Sequence, residues 1–267
     1  DRVDGHAARG NAAFCLEDTP QGELIVLRHG PRKMPVLYTH LIPATFGGRA
    51  RMNVANSLAA AAAAWSMGAH IHDIRQGLRT FSTSFFQAPG RLNLVEVAGT
   101  RVVIDYCHNV DGMRQLADFV NRMMAEPHTR AGVLGVSAAP PRTGRAIGVI
   151  GIPGDRRDQD QREYGALAAT AFDELVIRED RNLRGRQPGE SASNVAAGLR
   201  AARAHGGRAA RVDKILDEAS AVRAALRRSA PGDLVVVCAD DAVDVYRQAM
   251  ALAGRTQGAT AFADPGE

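Results

Sequence analysis

Ile147-Gly148-Val149-Ile150-Gly151-Ile152-Pro153-Gly154-Asp155-Arg156-Arg157-Asp158 decides the fold of this chain. Its first six residues are apolar and rich in β-branched side chains, the pattern of a buried strand. Pro153 and Gly154 break that strand into a turn carrying two guanidinium groups. A helix follows, with Tyr164, Leu167, Ala168 and Ala171 on one face. Leu175-Val176-Ile177-Arg178 is a second buried strand. It ends in the polar loop Glu179-Asp180-Arg181-Asn182-Leu183-Arg184-Gly185-Arg186-Gln187-Pro188-Gly189-Glu190. Strand, helix, strand implies a parallel pair with a right-handed crossover. Both polar loops then leave the carboxyl ends of their strands, where open α/β sheets bind ligands.

The same alternation extends downstream. A helix is expected to about residue 204, with Val195, Leu199 and Ala202 inward and Ser191 as its cap. Gly206-Gly207 leads to a strand at 209–212, then a helix near 215–227. Pro231-Gly232-Asp233 turns into a strand at 234–239. Asp240-Asp241 caps a last helix ending near Ala253, and the tail 255–267 reads as disordered.

Upstream, Leu92-Asn93-Leu94-Val95-Glu96-Val97 and Arg101-Val102-Val103-Ile104 form a hairpin around Ala98-Gly99-Thr100. The second strand runs into Asp105-Tyr106-Cys107-His108-Asn109. The helix after it places Met113, Leu116, Val120 and Met123 inward. Asp105 reads as a turn carboxylate or as an acceptor for ribose hydroxyls. His108 reads as a loop histidine or as a catalytic one. The segment 127–146, rich in Gly, Pro, Ser and Arg, reads as an insertion or a poorly paired strand.

Residues 11–38 alternate short apolar runs with turns, the pattern of a small three-stranded antiparallel sheet. Pro43-Ala44-Thr45-Phe46-Gly47-Gly48 is a glycine loop. It leads into an alanine-rich helix from Met52 to Trp65. Asn53 and Asn56 share a face of its first turn. Asn53 is either a helix cap or, with Asn56, an amide reading a purine edge. A second helix covers 70–80. The pattern changes at Pro89-Gly90-Arg91, which divides the chain into 1–88 and 89–254.

Composition excludes several classes. The 267 residues are 45% hydrophobic and 23% charged, with net charge +4 and 5% aromatics. No basic run is interleaved with aromatics, so a nucleic-acid partner is not expected. No apolar run reaches the roughly 18 residues of a membrane span. Cys15, Cys107 and Cys238 lie far apart with no zinc spacing, which suits a reducing compartment and a cytoplasmic protein. The start at Asp1 reads as that of a fragment.

A glycine loop, then Asn53-x-x-Asn56-x-x-Ala59-Ala60, then Pro89-Gly90-Arg91, then Asp105-Tyr106-x-His108-Asn109 resembles the second half of the Mur ligase superfamily. Ile150-Gly151-Ile152-Pro153-Gly154-Asp155-Arg156-Arg157-Asp158, Arg178-Glu179-Asp180 and Leu183-Arg184-Gly185-Arg186 look like its cyanophycin synthetase branch. The resemblance covers residues 1–253. It implies an α/β fold: a Rossmann-like Mur ligase C-terminal domain with a mostly parallel sheet, preceded by the end of the central ATP-binding domain. It implies ATP and Mg as cofactors. L-arginine and a cyanophycin primer, an aspartate–arginine polymer, are the implied partners, and a homo-oligomer is expected. Asn53, Asn56, Arg91, Asp105 and Asn109 would meet the nucleotide, with Arg91 and His108 catalytic. Asp155, Arg156, Arg157, Glu179, Asp180, Arg184 and Arg186 would lie beside the incoming amino acid. Glu179 and Asp180 would face its guanidinium, and Arg156 or Arg157 its carboxylate. The alternative for all these charges is that they pair with one another.

The sequence departs from the family in places. It contains no G-x-x-x-x-G-K-[ST] to hold phosphates and magnesium. Gly148-x-x-Gly151-x-x-Gly154 is not a dinucleotide fingerprint. No metal ligand is assigned, and Val110 stands where many Mur ligases have proline. The chain alone is therefore expected to be inactive. A non-catalytic Mur-like scaffold, or another Mur-family amide ligase such as a folylpolyglutamate synthase, remain as alternatives.

Overall fold

The computed structural model describes residues 2–125 and 144–260. The chain divides into two compact units, with the boundary between Thr83 and Ser84. That is slightly earlier than the turn at Pro89 marks it.

The first unit opens with α1 (Arg2–Ala8) and a meander of β1 (Ala12–Thr19), β2 (Gly22–His29) and β3 (Arg32–Tyr38). The strands are antiparallel in the order β1-β2-β3, with a register shift at Ile25/Val26. Two 3-10 turns, Thr39–Leu41 and Pro43–Thr45, lead into α2 (Arg51–Ser66) and α3 (Ile71–Thr80). Ile25, Leu27, Val36, Ile42, Ala61 and Ile74 form the core between sheet and helices. The strands are longer than their apolar runs because tight turns at 20–21 and 30–31 let the ladder close to its ends.

The second unit contains β4 (Asn93–Val97), β5 (Thr100–Asp105), α4 (Val110–Met124), β6 (Ala146–Ile150), α5 (Asp158–Ala168), β7 (Glu174–Ile177), α6 (Glu190–Arg203), β8 (Arg211–Lys214), α7 (Glu218–Arg228), β9 (Leu234–Cys238) and α8 (Ala242–Thr260). Its sheet order is β4-β5-β9-β6-β7-β8. β4 is antiparallel to β5, and every other pairing is parallel. β6 and β9 are buried at every residue, because helices cover both faces of a parallel sheet. Val222, Leu226, Val245 and Ala249 of α7 and α8 pack onto Val102, Ile104, Ile147, Val149 and Val237.

The chain steps from β6 to β7 to β8 and then returns, placing β9 between β5 and β6. Right-handed crossovers put the helices of the outward and return steps on opposite faces. The order of strands therefore reverses beside β9, and the crevice for ligands opens at the carboxyl ends of β5, β9, β6 and β7.

Three boundaries differ from the sequence reading. β8 begins at Arg211 rather than near 209, because the amides of Arg208 and Ala210 bond to Ala169 and Asp173 outside the ladder. α8 continues to Thr260, past Gly254. α6 is not capped by Ser191: its N-cap is Gly189, with φ 84° and no capping side chain of its own. The segment 127–143 and the tail 261–267 lie outside the described residues.

Candidate active site

Asp105 ends β5. Its two carboxylate oxygens accept the backbone N–H of Leu92 (3.0 Å) and of Cys107 (2.8 Å). These bonds bind the strand end to the turn carrying Arg91 and shape the loop that follows. Burial pushes the Asp105 carboxyl above its usual range, and the two amides with the nearby Arg91 and His108 pull it back only in part. Each oxygen keeps a lone pair, so an added hydroxyl donor can still be accepted.

Arg91 is exposed, and its guanidinium carbon lies 5.7 Å from the centre of the Tyr106 ring. Among the described residues no carboxylate forms an ion pair with it. The Tyr106 ring in turn sits 4.8 Å from the ring of His108, tilted by 38°. A cation, two aromatic faces and a carboxylate thus meet beside one strand end. That donor set suits a phosphate and a ribose. Asn109 is the N-cap of α4, its side chain accepting the N–H of Gly112 at 2.7 Å. Its oxygen is engaged by the helix, and its amide nitrogen lies 3.5 Å from His108 Nε2.

The two charged loops do converge. A Cβ on Gly154 would stand 2.2 Å from the carbonyl oxygen of Leu183, so only glycine permits this approach. Arg186 ties the loops together, donating to the carbonyls of Gly154 (2.6 Å) and Arg156 (2.8 Å). It also pairs with Asp158 (2.8 Å) and Glu190 (2.6 Å) and is largely buried. Arg186 is therefore a clamp. Arg184 differs: it is 41% exposed and makes one ion pair, to Asp155 at 2.9 Å. Arg156 approaches the same carboxylate at 3.5 Å. Arg184 adopts φ 51°, an uncommon conformation for a residue with a Cβ, directly before Gly185. Arg157 is 79% exposed and turns back onto Asp160, which its two nitrogens hold at 2.9 and 2.7 Å. It stands apart from the Arg156–Asp155–Arg184 cluster.

Glu179 has a role the sequence reading did not assign. Its two oxygens accept the N–H groups of Gly189 (2.8 Å) and Ala192 (2.9 Å), so it caps α6 from a distance. This is the cap expected of Ser191, whose hydroxyl instead accepts from Gln161 at 3.1 Å. With both oxygens engaged by backbone, Glu179 is not the free carboxylate a guanidinium would seek.

Arg178 reads in the sequence as the end of a strand and as part of the Arg178-Glu179-Asp180 motif, with no task of its own, yet it is central. It is 3% exposed, and its guanidinium passes beside Gly151, where a Cβ would stand 2.8 Å from it. It pairs with Asp180, donates to the carbonyl of Cys238, and approaches Glu218 at 3.4 Å. Burial works against its charge, but Asp180 and Glu218 outweigh it and hold its pKa above the ordinary arginine value. Glu218 accepts the N–H groups of Asp240 (2.6 Å) and Asp241 (3.0 Å). Above this network lies an open cleft of about 660 Å³. Glu179, Asp180, Asp217, Glu218, Asp240, Asp241 and Asp244 line it against one arginine, Arg181, so its field favours a cation.

In the first unit Asn53 is not the N-cap of α2; that position is Ala50. Asn53 lies one turn in and donates to the carbonyl of Ala44 at 2.7 Å, bracing the preceding 3-10 turn. Asn56 is exposed and reaches Asn53 Oδ1 at 3.4 Å, so the two do share a face. Among the described residues no three His, Cys, Asp or Glu side chains are grouped to hold a metal ion. No described helix is long and apolar enough to cross a membrane.

Residues 90–240 match the family described as Mur ligase, glutamate ligase domain. The chain belongs to the Mur ligase family. Within it, the cyanophycin synthetase of Synechocystis sp. is 40% identical over 235 residues, covering 88% of this chain and 24% of that protein. The Crocosphaera subtropica cyanophycin synthetase is 37% identical over 196 residues, covering 73% and 20%. The chain thus spans about a quarter of the length of these curated relatives. A cell-wall member of the family is more distant. The UDP-N-acetylmuramoyl-L-alanyl-D-glutamate–2,6-diaminopimelate ligase of Synechococcus elongatus is 28% identical over 230 residues, covering 85% of this chain and 39% of that protein.

Solved structures agree on the α/β fold with its mostly parallel sheet. The bifunctional folylpolyglutamate synthase/dihydrofolate synthase of Yersinia pestis, complexed with AMPPNP and Mn ion, has a TM-score of 0.58 at 21% identity, covering 90% of this chain and 46% of that one. The UDP-N-acetylmuramate-alanine ligase of Thermotoga maritima has a TM-score of 0.56 at 14% identity, covering 92% and 46%.

Proposed function

We propose that this chain supplies part of the nucleotide site and the amino-acid side of an ATP-dependent amide ligase of the cyanophycin synthetase type. The observation that carries the reading is the convergence of the 154–157 and 179–186 loops at the crevice beside β9, in a chain 40% identical to a cyanophycin synthetase. The reaction would transfer the γ-phosphoryl group of ATP to the side-chain carboxylate of the primer's terminal aspartate, giving an acyl phosphate and ADP. The neutral α-amino group of L-arginine then attacks the acyl carbon, the C–O bond to phosphate breaks, and the amide forms as inorganic phosphate leaves and the amine loses a proton.

Each residue has a proposed task. Asp105 accepts the ribose hydroxyls, and Arg91 faces the phosphates, where a rigid cationic fork stabilises developing negative charge. Asn56 offers an amide to the adenine, and Asn53 braces the 3-10 turn that precedes α2. His108 orders the Tyr106 face beside Arg91. Arg184 and Arg156 take the arginine carboxylate, displacing Asp155 as their partner. Asp180 and the acidic cleft take the guanidinium. A bound Mg ion would neutralise phosphate charge, and no residue of this chain is assigned to hold it.

The test uses the full-length protein that carries this chain. ADP release should require both L-arginine and an aspartate–arginine primer. With L-aspartate withheld from the assay, ADP release that ignores arginine, or that another amino acid supports in its place, would overturn the reading.

A further inference from the structure

We infer that Arg178 is the positioning residue of the amino-acid subsite: it touches no substrate, and it sets where Asp180 and the loop after β9 present their carboxylates. The inference rests on the proposed amide-ligase function. Three observations carry it. Arg178 is buried at the end of β7, yet it keeps its charge, and it is packed against Gly151 at the end of β6. Its guanidinium pairs with Asp180 and donates to the carbonyl of Cys238, the last residue of β9. Glu218, 3.4 Å from its Nε, receives the amides of Asp240 and Asp241. One cation thus fixes the ends of three adjacent strands and both acidic walls of the cleft.

A buried guanidinium with a fixed fork holds direction as well as charge. Asp180 Oδ1 is held by Arg178, which locks the carboxylate plane and leaves Oδ2 to accept from an incoming cation. The same contact lowers the cleft's excess negative charge, so the subsite can release a cationic amino acid as well as attract it.

Two variants of the full-length protein test this. Arg178→Lys keeps the charge but loses the fork, so it cannot hold Asp180 and the Cys238 carbonyl together. Gly151→Ala keeps Arg178 and pushes its guanidinium with a new Cβ. In both, the L-arginine KM should rise, roughly tenfold or more for Arg178→Lys and several-fold for Gly151→Ala, at an unchanged ATP KM. Adding Asp180→Asn to Arg178→Lys should raise the arginine KM by far less than the product of the single effects. A purely structural role would instead move both KM values and the melting temperature together, or multiply cleanly with Asp180→Asn, and either result overturns the inference. Gly151→Ala keeps the test open if Arg178→Lys fails to fold. The wild type separates the two readings: without arginine-dependent ADP release the proposed function fails, and with it only the variants judge Arg178.

Discussion

At the scale of single residues, charge alone does not separate clamps from ligands; the number and kind of partners does. Arg184 and Arg186 sit two positions apart in one loop. Arg186 is largely buried and holds two carbonyls and two carboxylates, whereas Arg184 is exposed and holds one carboxylate. Arg186→Ala should therefore lower the melting temperature by several degrees. Arg184→Ala should leave the melt nearly unchanged and, in the full-length protein, raise the L-arginine KM about tenfold or more, the worth of a charge-assisted hydrogen bond of about 1.5–3 kcal/mol. The reverse pattern would exchange their roles. Asp105 makes a pH prediction. Burial raises its folded pKa above the unfolded value, so folding favours its protonated form. That contribution is complete below about pH 4 and is lost as pH rises through the raised value. The melting-temperature advantage of wild type over Asp105→Asn should thus be greatest near pH 4 and shrink toward pH 7. A gap that widens with pH would contradict the raised pKa.

At the scale of elements, the loops depend on one another through backbone contact. Gly154→Ala would drive a Cβ into the Leu183 carbonyl, which is main chain and cannot swing aside. Overpacking of this kind costs about 1–3 kcal/mol. The variant should melt earlier and lose arginine-dependent turnover while retaining ATP binding; retained turnover with normal KM values would show that the loops need not touch. The elements themselves were largely legible. Strands such as 147–150 and 234–238 announce themselves as β-branched runs, and the inward residues Met113, Leu116, Val120 and Met123 of α4 follow helical spacing. What local pattern could not reveal were long-range polar roles. The true cap of α6 is Glu179, ten residues before Gly189, and Ser191 looked right only because it stood near the helix start. Arg178 looked like a strand's polar exit because its burial is made by Gly151, β9 and α7. Asn53 looked like a cap because the 3-10 turn it braces has no sequence signature.

At the scale of the whole molecule, the net charge of +4 conceals a division. The cleft at the carboxyl edge of the second unit's sheet is lined by seven carboxylates, those of Glu179, Asp180, Asp217, Glu218, Asp240, Asp241 and Asp244, against one arginine, while Arg101, Arg145, Arg208 and Arg211 stand at or before the strand starts. Composition averages these away, so it could exclude a nucleic-acid platform but could not foresee a cation-seeking crevice. The central claim is that this crevice serves ATP-driven amide formation. The most direct test is oxygen transfer in the full-length protein, using a primer ending in aspartate whose side-chain carboxylate carries ¹⁸O, with ATP and L-arginine. An acyl phosphate intermediate requires that one ¹⁸O leave with each phosphate released, and the account predicts that label. Arginine-dependent ADP formation with unlabelled phosphate would contradict it.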